Sequence, residues 1–476
     1  MGGGLLQAAA GAASYGTRVD RGRAPCFVLA AVGRLPTSRS VRALLPVRGG
    51  MPCVLRMGEH VGAGDSLAAA GAKIRLGAQR GEAAAVEQTC QVWNGASSAD
   101  INAAAAALAR GEPVAFPTET VYGLGALAAS DAAVAKIFAA KGRPSDNPLI
   151  VHFADGHAGL QQLAMDGKVP PEATALAEAF WPGPLSICIR ANPKAVSATC
   201  RAGLTSVAVR VPAHRVALEL LEALDRKMGC ATGVAAPSAN ASGRPSPTAA
   251  LHVLEDLGAG HKIAGVVDGG RTCSIGIEST VVDCTVSPVA ILRPGKISAA
   301  DISRVLNQPV DEAEHSGQGG REATDDAAGQ DSMGAMVEGP KAPGMKYRHY
   351  SPRAPLRVFE DCDAFLAAVA SHRDRARSSC GNFSSGGRDD GQEPWLGIMA
   401  PAQVLARVGM VPGSVMVECG SSEEDLDSIA QDLFGALRTF DETPSVKLIL
   451  ALGCRAEGLG VGIRNRLDKA SLGGHL

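Results

Sequence analysis

Aromatic side chains are scarce in this 476-residue sequence: ten Phe, four Tyr and three Trp amount to 4%. Surfaces that stack successive bases need more of them, which argues against RNA as the main ligand. An excess of charge of one sign is also lacking. Forty-six Lys and Arg face 48 Asp and Glu, a net charge of −2, which excludes a generally basic nucleic-acid coat while leaving room for a local basic groove. No apolar run approaches the roughly 18 residues that a membrane span needs, so no membrane association is expected. Twelve cysteines are scattered without a single CxxC pair, which excludes a zinc ribbon or a dense disulfide scaffold and predicts reduced thiols. Walker A and GxGxxG loops are missing too, so any nucleotide must be held by another arrangement.

What is present is a chain with 46% hydrophobic and 20% charged residues, enough for a substantial core. Its length predicts two or three domains. Residues 1–97 stand apart: between Met1 and Met57 there are eight arginines, no lysine and one acid, Asp20. An Arg-rich, acid-poor leader predicts an organelle transit peptide, mitochondrial or plastid, or else an extension without an address in a cytoplasmic protein.

From residue 98 apolar periodicities alternate regularly. Asp100 is placed to cap a helix over 100–110, with Gly111 as its stop. Strands are expected at 114–116, 149–153, 185–189, 207–211, 264–267, 280–283 and 289–292, and helices at 131–141, 214–228 and 248–257. Together they predict a mixed-sheet α/β domain over 98–307. Residues 308–353 begin Gly-, Asp- and Glu-rich and read as a flexible linker. Over 354–476, strands at 356–359, 396–399, 415–417 and 446–450 alternate with helices at 361–370 and 423–440. That pattern predicts a smaller, Rossmann-like α/β domain.

Polar side chains concentrate in a few turns. Pro117-Thr118-Glu119-Thr120-Val121-Tyr122-Gly123-Leu124-Gly125 follows a strand and reads as a βα-type turn that holds a small polar ligand, or as threonines that merely cap local backbone. Lys141-Gly142-Arg143 begins a second segment ending Asn147-Pro148-Leu149. With an extended backbone its two cations converge on one anion; alternatively they complement a helix C-terminus. Pro237–Thr248 contains Ser238, Asn240 and Ser246 between a strand and a helix, a ready anion or ribose site. Arg210 lies within a strand and needs a partner or ligand, whereas His152 between Val151 and Phe153 would alone be a core histidine. Glu278-Ser279-Thr280 and Arg293-Pro294-Gly295 complete the set.

In this order, the motifs resemble the YrdC-like threonylcarbamoyl-AMP synthase family over residues 101–306. Ala342-Pro343-Gly344-Met345-Lys346-Tyr347-Arg348-His349-Tyr350-Ser351-Pro352 resembles the linker of its two-domain members. The resemblance implies a twisted open mixed sheet with a concave active-site cavity, and a nucleotidyltransferase reaction. L-threonine, bicarbonate or CO2 and ATP give threonylcarbamoyl-AMP and pyrophosphate, and a partner complex passes the threonylcarbamoyl group to tRNA. Lys141 and Arg143 match the catalytic positions; Thr120, His152, Arg210 and Ser279 match threonine-binding ones. Arg143, Asn147, Ser206, Ser238, Asn240, Ser246 and Arg293 match nucleotide-binding positions, with Tyr350, or its neighbour Tyr347, closing over the nucleotide. Mg2+ is implied on the ATP phosphates, with no protein-only metal site. Ser206 departs mildly from the threonine common there, and the acidic insert over 311–338 is longer than a tight linker needs. Two alternatives are a non-catalytic double-stranded RNA or tRNA-binding module and the hydrogenase-maturation carbamoyltransferase. The missing CxxC motifs count against the second.

Overall fold

The structure is a computed structural model that describes residues 90–270, 273–312, 349–375 and 395–471. It also describes the backbone of 376–380 and of two strands in the N-terminal extension, β1 (Val41–Pro46) and β2 (Pro52–Met57). The rest of the leader, Tyr347 and most of the acidic insert lie outside the described residues.

The first domain begins before residue 98. Strand β3 (Gln91–Asn94) pairs in parallel with β10 (Gly265–Asp268) at the edge of an eleven-stranded mixed sheet. Helix α1 (Ser98–Ala109) is capped by Ser97 rather than Asp100: Ser97 Oγ accepts from the Asp100 N–H at 3.3 Å, while Asp100 Oδ2 accepts from the Asn94 N–H at 2.7 Å. Ile101, Ala104, Ala105 and Leu108 recur at helical spacing and pack against Val216, Leu220, Leu221 and Leu224 of α5 (Arg215–Met228). Alanine is therefore not filler here, since small side chains let the two helices approach closely.

Between these helices run β4 (Val114–Phe116), β5 (Gly123–Leu127), α2 (Asp131–Lys141) and β6 (Ile150–His152). Helices α3 (Gly156–Leu163) and α4 (Pro171–Phe180), which sequence pattern did not reveal, precede β7 (Leu185–Arg190) and β8 (Ser206–Arg210). After α5 come β9 (Val234–Ala235), α6 (Ala250–Leu257), β10, β11 (Thr280–Asp283), β12 (Ala290–Arg293) and α7 (Ala299–Leu306). A two-residue strand, β13 (Asp311–Glu312), extends the sheet past residue 307 by pairing with β12. The spatial order is β13-β12-β11-β7-β8-β6-β9-β5-β4-β10-β3.

The second domain is built on four parallel strands ordered β14 (Leu356–Phe359), β17 (Leu448–Leu452), β15 (Leu396–Ala400) and β16 (Ser414–Glu418), with β1 antiparallel to β16. Helices α8 (Cys362–Cys380), α9 (Ala402–Val408), α10 (Leu426–Asp441) and α11 (Leu459–Ala470) connect or follow them. One apolar cluster joins the domains: Val121 and Ile277 of the first pack with Tyr350, Leu433, Phe434 and Ile463. Among the described residues no helix is long and apolar enough to cross a membrane.

Candidate active site

The segment after β4 does not open a helix as a βα turn would. It returns as β5, antiparallel to β4 in the register Phe116↔Gly123. The turn between them is organised by Thr118, whose Oγ1 bonds the Val121 carbonyl at 2.6 Å and accepts from the Thr120 and Val121 N–H groups at 3.2 Å. Thr118 thus fulfils the capping alternative, and its hydroxyl lies 2.8 Å from that of Thr120.

Backbone hydrogen bonds then draw the distant motifs together. Glu119 and Thr120 carbonyls accept from Ile275 and Gly276; Tyr122 and Leu124 donate to Pro247 and Pro237; Ser242 donates to Lys141; Ser351 donates to Gly243. Five sequence segments are in this way stitched around one cleft with an empty volume of about 720 Å3, open to solvent. Thr120, Lys141, Arg143, His152, Arg210, Ser238, Asn240, Ser246, Ser279, Arg293 and Tyr350 all line it.

Asn147 and Ser206 do not. Asn147 is buried with its carbonyl accepting from Arg143 Nε at 3.3 Å. Ser206 starts β8 and lines a smaller cavity with Pro148, Leu149, Arg201 and Leu204. Sequence proximity to the cleft residues did not translate into convergence, because strand direction sends Ser206 to the opposite end of β8 from Arg210.

Lys141 and Arg143 meet by a route other than an extended backbone. Gly142 is the left-handed C-cap of α2, at φ 62° and ψ 37°. The buried Lys141 ammonium donates to the carbonyls of Ser238 and Asn240. Burial and then the neighbouring Arg143 hold it well below the ordinary lysine range. Burial likewise lowers Arg143 to about 10.

His152 and Arg210 are register partners on the parallel strands β6 and β8. Arg210 donates to Glu119 Oε1 at 2.6 Å and to the Gly183 carbonyl at 3.1 Å. Burial, then the charge of Arg210, depresses His152 to about 3, so its imidazole is neutral at physiological pH. Its Nδ1 finds no hydrogen-bond partner among the described residues. Arg293 donates to the Ser279 carbonyl at 2.9 Å and to its hydroxyl at 3.2 Å.

Tyr350 takes φ 66°, an outlier for a bulky residue, and stacks on Phe434 with ring centroids 5.2 Å apart. Burial raises its phenol to about 12. Sequence reasoning passed over its neighbour His349, which also lines the cleft, has no hydrogen-bond partner for Nε2 among the described residues and is depressed by burial to about 4. It passed over Glu278 as well, the one carboxylate in the lining. Both stood inside recognised motifs; their adjacency to chosen residues was the available signal.

Comparison with known proteins accords with this geometry. The family described as "Telomere recombination" (Sua5, YciO, YrdC) matches residues 106–295, and the family described as "Threonylcarbamoyl-AMP synthase, C-terminal domain" matches 297–471. The threonylcarbamoyl-AMP synthase of Pyrococcus abyssi is 40% identical over 373 residues, covering 78% of this chain and 94% of that protein. This chain belongs to the threonylcarbamoyl-AMP synthase family.

A synthase of the same name from Bacillus subtilis is 40% identical over 371 residues, covering 78% of this chain and 92% of the relative. The crystal structure of P. abyssi Sua5 complexed with L-threonine is similar with a TM-score of 0.65 and 37% identity, over 81% of this chain and 99% of that one. The expected α/β architecture, a large mixed sheet and a second, smaller sheet, is therefore that of the synthase family.

Proposed function

We propose that this chain is an L-threonylcarbamoyl-AMP synthase, a nucleotidyltransferase that joins L-threonine, bicarbonate or CO2 and ATP, releasing pyrophosphate. The observation that carries this reading is the charge of the cleft: Lys141, Arg143, Arg210 and Arg293 line it beside a single carboxylate, Glu278. Such a lining suits an anionic ligand, and relatives named for this reaction span most of the chain.

In this reading a carbamate oxygen of threonine attacks the α-phosphate and pyrophosphate leaves. Negative charge grows on the phosphate and leaving group, and Lys141 and Arg143 stabilise it from fixed positions. The protein needs no covalent intermediate. Arg210, held by Glu119, offers a guanidinium to the threonine carboxylate, and the hydroxyls of Thr120 and Ser279 together with neutral His152 select the amino acid's polar groups. Ser238, Asn240, Ser246 and Tyr350 serve the nucleotide, while Asn147 and Ser206 act from outside the cleft lining.

Mg2+ would supply charge neutralisation on the ATP phosphates. Among the described residues no cluster of three or more His, Cys, Asp or Glu could cage a metal, and Glu278 is already engaged by Ser246 and Arg466. In this reading the nucleotide carries the ion in. Transfer of the threonylcarbamoyl group to tRNA by a partner complex follows chemically, since a mixed carbamic–phosphoric anhydride is activated for attack by an amine. The Arg-rich leader supports delivery to an organelle, which sequencing of the mature N-terminus in cells would test.

Mass spectrometry of products from ATP, threonine and bicarbonate tests the central claim. Threonylcarbamoyl-AMP is expected, with pyrophosphate released only when threonine is present. Lys141→Ala should fold normally and lose that release; normal release by this variant would overturn the role of Lys141.

A further inference from the structure

We infer that Arg466, on the last helix of the second domain, is a positioning residue for the reaction, acting through Glu278. This rests on the functional reading above. Arg466 is fully buried, and three of its four guanidinium hydrogen bonds go to the first domain. Nε donates to Glu278 Oε2 at 3.0 Å, one Nη donates to the Glu278 carbonyl at 3.2 Å, and the other donates to the Pro294 carbonyl and, at 3.3 Å, to Gly462 of its own helix. One side chain thus ties together the segments that carry Ser279 and Arg293. The opposite oxygen of Glu278 accepts from Ser246 Oγ at 2.5 Å. The chain of contacts runs from α11 through Glu278 to a hydroxyl in the cleft.

The charge environment makes the neutralisation of Glu278 matter. Facing its carboxylate are Arg466 and Lys469 from α11, Arg293 from β12, Lys141 from α2, and His349 and Tyr350 from the segment before β14. With Arg466 in place, Glu278 already has a bidentate-capable cation of its own. Without it, a buried carboxylate remains beside Arg293 and Lys141 and competes with ligand phosphates for both. The helix meets the first domain closely at this point: a Cβ on Gly462 would stand 3.1 Å from Ile277 Cδ1 and 3.2 Å from Gly295 Cα.

Steady-state kinetics of threonine-dependent pyrophosphate release, measured across pH, tests this. Arg466→Met is expected to raise the KM for ATP by about tenfold or more with a smaller fall in kcat, and acidification that protonates Glu278 should relieve the defect. Adding Glu278→Gln to Arg466→Met should bring KM back to within about threefold of wild type and abolish the new pH dependence. Additive damage in the double variant, or an unchanged KM in folded Arg466→Met, overturns the inference. Should Arg466→Met fail to fold by circular dichroism, Arg466→Gln decides: a raised KM that acidification relieves supports the role, and an unchanged KM sinks it. A wild-type chain without threonine-dependent release fails the functional reading itself. An active wild type with indifferent variants fails only the role of Arg466.

Discussion

Lys141 donates to two backbone carbonyls while its ammonium sits beside Arg143, so burial and like charge both disfavour its protonated form. A bound polyphosphate reverses the second effect and pushes the lysine back up. Binding of ATP should therefore take up protons in the window between the free and bound pKa of Lys141. Isothermal titration calorimetry in buffers of different ionisation enthalpy reads this directly, and the uptake should vanish in Lys141→Met. His152 works in the opposite regime, its folded value near 3 against an ordinary 6.5. Below about pH 6.5 the unfolded chain binds a proton that the folded chain refuses, so this histidine costs stability as pH falls from there toward 3. Its slope is at most about 1.4 kcal/mol per pH unit. Replacement by Gln should flatten the acid limb of urea-derived stability by up to that amount; an unaltered limb would mean the imidazole titrates normally.

At the scale of elements, α6 and α10 are joined through charge. Arg438 of α10 is almost fully buried and donates to Asp256 Oδ2 of α6 at 2.8 Å and to the Pro245 carbonyl at 2.6 Å; Arg244 completes the cluster with Asp256 and, at 3.1 Å, Asp441. Breaking one side of a buried pair typically costs about 3–5 kcal/mol because the other charge is stranded. Asp256 keeps Arg244 as a partner, so Arg438→Met should lose at most about that much in chemical denaturation. Helix α1 depends on apolar packing instead. Leu108 is wholly buried against α5, and Leu108→Ala should cost roughly 2–5 kcal/mol by the same measurement.

Across the whole molecule, the two domains share side chains rather than a wet surface. Tyr350 stacks on Phe434, and Val121 and Ile277 belong to the second domain's apolar cluster. Gly276 takes φ 87°, and a Cβ there would run into the backbone of Ala430 and Gln431. Because one core and two buried arginines cross the boundary, calorimetry of the full chain should register a single unfolding transition for the two domains. Two resolved transitions would show that the domains are held less tightly than these contacts require. Gly276→Val should split the transition by wedging α10 away.

Much of this was legible from sequence because it is local. Apolar runs of three to six residues marked most of the strands, α2 was bounded correctly at Asp131 and Lys141, and the polar motifs stood in an order specific enough to point to the family. Local signals also misled: Asp100 looked like the cap that Ser97 is, and the turn after Phe116 opens a strand. Helices α3 and α4 escaped notice since neither has a long apolar stripe. What only the tertiary structure decided was convergence. Glu278 and Arg466 meet across 188 residues, and Asn147 and Ser206 fall outside the cleft lining although Arg143 and Arg210 of the same segments belong to it. Residue type and spacing record the chemistry a segment can perform, but strand register and domain docking determine which segments perform it together.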